Sequence, residues 1–128
     1  RPGRALTLGL LLRSVGREAL AARIEEDLRL ARVAERLLRA SGRFEILAPT
    51  TLSVVSFAVR GDLASDAEAA TRAVYRETLE AAETMVSTTR LRGRLALRLV
   101  VLSPRTDDGQ VERSVAELVR AADRARDN

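Results

Sequence analysis

The segment RLALRLVVLSP, residues 94–104, constrains the fold of this chain more than any other. In an extended chain, Leu95, Leu97, Leu99 and Val101 point to one side. Arg94, Ala96, Arg98, Val100 and Leu102 point to the other. That is a strand with one face on a core. Residues 52–60 divide in the same way, with Val55, Phe57 and Val59 inward and Val54, Ser56, Ala58 and Arg60 outward. The outward face is small and semi-polar, as a sheet is when a ligand, another domain or a second subunit sits on it. Arg60 and Arg94, near strand ends, are expected to reach water. Arg98 stands in mid-strand, where an unpaired charge is costly to cover. Its guanidinium is a natural fork for a carboxylate or phosphate, which makes it the candidate binding residue.

Around these strands the pattern is mostly helical. Residues 5–15 read as an apolar helix ending near Gly16, and residues 17–40 as a long amphipathic one. Along the second, Leu20, Ile24, Leu28, Ala31, Ala34 and Leu38 recur at three- and four-residue steps. The opposite face carries Arg23, Glu25, Glu26, Arg29, Arg32, Glu35, Arg36 and Arg39, the pattern of a solvated surface with Glu25–Arg29 and Arg32 with Glu35 or Arg36 as neighbours. Strands follow at 43–48 and 52–60, separated by a turn at Pro49 and ended by Gly61. Ser65 and Glu68 suit a capping box for a helix to about residue 83. A short strand covers 85–90, and Gly93 separates it from 94–102, which Pro104 ends. Thr106 suits the N-cap of a last helix, Asp107 and Asp108 suit its positive end, and Val111, Val115, Leu118 and Ala122 form its buried stripe. Residues 124–128 are expected to fray. The order predicts an α+β two-layer sandwich, a small, mainly antiparallel sheet with helices on one face.

Composition removes several chemistries. All 22 basic residues are arginine; there is no lysine, histidine or cysteine. The chain therefore cannot form a Schiff base to a carbonyl cofactor, build an ordinary zinc site or assemble a Ser–His–Asp triad. No catalytic, cofactor-binding or metal-ligating residue is assigned within it. Zero cysteine suits the cytoplasm and excludes a disulfide scaffold. Arg90, Arg92, Arg94, Arg98 and Arg105 cluster without an acid, but no aromatic is interleaved, which argues against a nucleic-acid partner.

The start, RPGRALTLGLLLR, has a basic end and an apolar run like a signal peptide. Arg13 interrupts the run, no small-x-small site follows closely, and the stretch is too short to span a bilayer. No membrane is expected. The favoured reading is a helix buried on most sides at the start of a piece cut from a longer protein.

Three stretches carry a family resemblance: RPGRALTLGLLLRSVGREALAARIEEDLRLA, RFEILAPTTLSVVSFAVRG and STTRLRGRLALRLVVLSPRT. In wording, order and spacing they resemble the C-terminal region of the group II pyridoxal-phosphate (PLP)-dependent amino-acid decarboxylases. The resemblance runs from Arg1 to about residue 121. It implies the small domain of a fold type I enzyme, with residues 1–16 linking to or docking on a missing large domain and residues 17–128 forming the small domain itself. It implies a large PLP-binding domain and a dimer mate as partners, an amino acid as substrate, and PLP attached outside this chain. The family's arginine in the last strand matches Arg98, and the resemblance implies that it meets a substrate carboxylate. Several positions depart from the family pattern: Ser87-Thr88-Thr89 in place of Ser-His-Thr, Gly9 for an aromatic, Ser56-Phe57-Ala58 for Cys-Phe-Arg, and Ser103 for Asn.

Two further readings stay open. One is a free-standing interaction module from a degenerate decarboxylase gene, without catalysis. The other is an Arg-rich RNA-binding domain.

Overall fold

Two antiparallel pairs, β1 (Phe44–Ile46) with β2 (Val54–Val59) and β3 (Val86–Leu91) with β4 (Arg94–Val100), are joined through β2 and β4 into a four-stranded sheet of order β1-β2-β4-β3. In this computed structural model, which describes residues 2–103 and 105–127, the chain runs α1 (Pro2–Val15), α2 (Arg17–Ala40), β1 (Phe44–Ile46), β2 (Val54–Val59), α3 (Ala67–Ala81), β3 (Val86–Leu91), β4 (Arg94–Val100) and α4 (Asp108–Asp127). The α+β two-layer sandwich is the architecture predicted. The expected strand stop at Pro104 lies outside the described residues.

The inward face of the sheet is the one the alternation selects. Val55, Phe57, Val59 and Leu97 have no more than 1 % exposure, and Leu99 and Val101 are also buried. They meet Leu30 and Leu38 of α2, Val74 of α3 and Leu118 of α4 in one core. Phe44 and Phe57 pack edge to face, with centroids 5.1 Å apart. Each fully buried side chain of this size contributes about 2 kcal/mol. Val111, Val115, Leu118 and Ala122 are all buried, as their spacing predicts. Helix α4 packs against both α2 and α3.

Local signals explain the joints. Gly16, at φ 85°, separates α1 from α2 with a conformation that a side chain would disfavour. Arg92 and Gly93, at φ 51° and 79°, form the two-residue β3–β4 turn closed by the Leu91–Arg94 pair. Two expected caps shift by one residue. Asp66, not Ser65, caps α3, accepting from the Ala69 amide at 2.9 Å. Asp107, not Thr106, caps α4, accepting from the Gln110 amide at 2.8 Å. In both, the carboxylate lies three residues before the amide it receives, the N-cap spacing. Helix α4 runs to Asp127 and is tied to α3 by Arg124 and Glu77 at 2.6 Å; Asn128, the end of the segment expected to fray, lies outside the described residues.

The two N-terminal expectations need correction. The predicted stripe of α2 is buried only in its second half: Ile24 is 52 % exposed and Leu20 half-buried, whereas Leu30, outside the stripe, is fully covered. Nor is α1 buried on most sides. Leu6, Leu8 and Leu10 are each more than half exposed, because α1 packs against α2 and little else of this chain reaches it. The predicted ion pairs of α2 also regroup. Arg29 binds Glu26 and Asp108, tying α2 to the start of α4, and Glu35 pairs with Arg39.

Candidate functional site

The outer sheet face is built by the second half of each alternation. In register, Arg98 of β4 lies between Ser56 of β2 and Ser87 of β3. Beside it the sheet floor is alanine: Ala58 is 3 % exposed and Ala96 fully covered. Val100, Leu102 and Leu52 leave apolar surface uncovered beyond it, at 38, 67 and 69 % exposure. The exposed part of this face is therefore the Arg98 guanidinium with Val100, Leu102 and Leu52 beyond it.

The three outward arginines have different fates. Arg60 and Arg94 do not simply reach water. Arg60 forms a two-point bridge to Asp62, at 3.0 and 2.7 Å. Arg94 reaches over β2 to Glu45 of β1, its Nη2 2.9 Å from the carboxylate. The hydrogen bond from Arg94 holds the Glu45 carboxyl below its usual range, and the Arg60 hydrogen bond does the same for Asp62. On the same sheet, Arg90 binds Glu68 of α3, whose carboxyl is held low for the same reason.

Arg98 is different. It is exposed, its Nε donates to Ser87 Oγ at 3.2 Å, and among the described residues no carboxylate lies within ion-pair distance. The arrangement can grip one anion of carboxylate size in a fork. Ser87 is a site residue that sequence reasoning overlooked as Arg98's neighbour. The signal is the register of the β3–β4 hairpin: counting back from the Arg92-Gly93 turn sets Ser87 opposite Arg98.

No protein-family model matches the chain. Tryptophan decarboxylase 1 of Oryza sativa subsp. japonica is 30 % identical over 123 residues, 91 % of this chain and 24 % of that protein. The structure of Catharanthus roseus tryptophan decarboxylase in complex with L-tryptophan superposes with a TM-score of 0.86 at 29 % identity, over 95 % of this chain and 26 % of that one. Oryza sativa TDC with PLP and tryptamine gives a TM-score of 0.86 at 26 % identity, over 94 % and 27 %. The chain is a relative of the group II PLP-dependent amino-acid decarboxylases and matches one small domain of them. It spans about a quarter of the length of these decarboxylases.

The chain has no lysine with which to anchor PLP covalently. Among its described residues, no group of three or more His, Cys, Asp or Glu converges on a metal position, and no helix is long and apolar enough to cross a membrane.

Proposed function

We propose that this chain is the C-terminal small domain of a fold type I amino-acid decarboxylase, and that Arg98 receives a carboxylate of the substrate. The observation that carries this reading is Arg98 itself, an outward mid-strand guanidinium that among the described residues pairs only with a serine, while its neighbours Arg60 and Arg94 are closed by carboxylates. Bound outside this chain, PLP would supply the electron sink for loss of the carboxyl as carbon dioxide. This domain contributes binding and orientation. Arg98 fixes the amino acid by one carboxylate.

The apolar face of α1 and the outer sheet face would seat the large domain and a dimer mate. Their support is the exposed run of Leu6, Leu8, Leu10, Leu11 and Leu12 on a helix that little else in the chain covers. The same leucines favour the second reading, a non-catalytic interaction module. A cytoplasmic setting accords with a chain that carries no cysteine.

The test is Arg98→Met and Arg98→Lys in the complete protein. Decarboxylation should lose about a hundredfold or more in kcat/KM with Met, since a charged hydrogen-bond pair contributes about 3 kcal/mol. Lys should recover only part, lacking the planar fork. Unchanged kcat/KM in both variants overturns the role of Arg98. A complete protein without a lysine-bearing cofactor domain leaves the interaction module.

A further inference from the structure

Arg98 is flanked by a serine on each side. Register places Ser56 of β2 and Ser87 of β3 directly opposite it, so Ser56, Arg98 and Ser87 form one row across three adjacent strands of the outer face. Side chains paired in this way have Cβ atoms about 5 Å apart. The two serines are used differently. Ser87 Oγ accepts from Arg98 Nε at 3.2 Å, a bond that draws the arginine toward β3. Ser56 stands on the other side, half-buried. Its hydroxyl makes no hydrogen bond with the described residues, and it is not among the side-chain oxygens sealed from solvent.

The charges beside this row are already engaged. Glu45 of β1, opposite Ala58, is held by Arg94 at 2.9 Å, and Arg60 is held by Asp62 at 2.7 Å. A carboxylate brought to Arg98 has about four lone-pair positions, and a guanidinium fork fills two of them. The others need donors once water is displaced, because an unanswered acceptor in a covered site is costly. Ser56 is the hydroxyl of this row with no bond already made.

We propose that Ser56 is a second substrate-binding residue, its hydroxyl donating to the same carboxylate that Arg98 receives. This inference rests on the assignment of Arg98 to a substrate carboxylate and adds the β2 side of the grip. Ser87 holds the guanidinium from β3, and Ser56 meets the anion from β2.

The test uses the complete protein and, as probe, whichever common L-amino acid it decarboxylates fastest. Ser56→Val and Ser56→Thr are compared, because they match in shape and differ by the hydroxyl. Ser56→Val should raise KM about tenfold with kcat within about twofold, since it removes a hydrogen bond to a charged group. Ser56→Thr should stay close to wild type. In an Arg98→Met background Ser56→Val should add less than about twofold, because both residues grip one group. An unchanged KM in Ser56→Val, beside a large loss in Arg98→Met, overturns the role of Ser56 and leaves that of Arg98 standing. So does an equal loss in Ser56→Thr and Ser56→Val, or a full effect of Ser56→Val without Arg98. Absence of turnover, or unchanged kinetics in Arg98→Met, removes both roles. If Ser56→Val does not fold, Ser56→Ala takes its place with the same expected rise in KM.

Discussion

Arg98 and Ser87 face each other in register across β4 and β3, and Arg98 Nε donates to Ser87 Oγ at 3.2 Å. This bond fixes the edge of the guanidinium nearest the backbone and leaves the outer donors for an anion. Ser87→Ala should therefore leave stability within about 0.5 kcal/mol, because the pair is exposed. Under the proposed function, Ser87→Ala in the complete protein should raise KM several-fold with a smaller change in kcat, and Ser87→Thr should restore most of the loss. Urea unfolding and steady-state kinetics separate the two effects. A fall in stability with unchanged KM would make Ser87 merely structural.

Leu97 lies at the centre of the inward face with no exposed surface. Leu97→Ala removes its buried methyl groups and leaves a cavity that neighbouring strands limit from collapsing. The expected cost is about 3 kcal/mol, read from the urea midpoint. Leu95, one pleat toward the turn, is only half-buried, and its truncation should cost less.

Thr71 of α3 does two things at one oxygen. It accepts from the buried Val59 amide at 3.1 Å and donates to the Ala67 carbonyl at 2.7 Å. Thr71→Val keeps the shape but orphans the Val59 amide, at a cost of about 1–3 kcal/mol. Thr71→Ser should lose less. Faster hydrogen exchange at Val59 in the Val variant would identify the cause.

Acid should loosen the chain through its arginine-bound carboxylates. The carboxyls of Glu45, Glu68 and Asp108 are held below their ordinary values of 4.5, 4.5 and 3.8 by hydrogen bonds from Arg94, Arg90 and Arg29. A group with a lowered pKa in the folded state stabilises above its unfolded pKa. That stabilisation is lost as pH falls through the folded value. With no histidine, stability should be nearly flat from pH 6 to 8 and decline below about pH 4.5. Glu45→Gln should make the decline shallower, and added salt should do the same because these pairs are exposed. Urea midpoints across pH measure both.

Helix α1 should be dispensable to the fold and costly to solubility. Deleting residues 2–15 removes exposed leucines and little packing, so Tm should change by only a few degrees. Concentration-dependent self-association of the intact chain, followed by analytical ultracentrifugation, should diminish in the deletion. A large drop in Tm would show that α1 supports the core after all.

Much of this molecule was readable from residue order alone. Alternation at 94–102 and 52–60 determined which face of each strand is buried, because side chains of an extended chain can only alternate. Leu97 and Phe57 lie inward and Arg98 outward for that reason. The absence of lysine, histidine and cysteine determined which chemistry the chain cannot perform by itself. Only the tertiary structure decided which charges are answered. Arg94 finds Glu45 from 49 residues away and Arg90 finds Glu68 from 22, while Arg98 meets a serine. Long-range pairing depends on strand order and helix placement, and these follow from the packing of the whole core rather than from any local stretch.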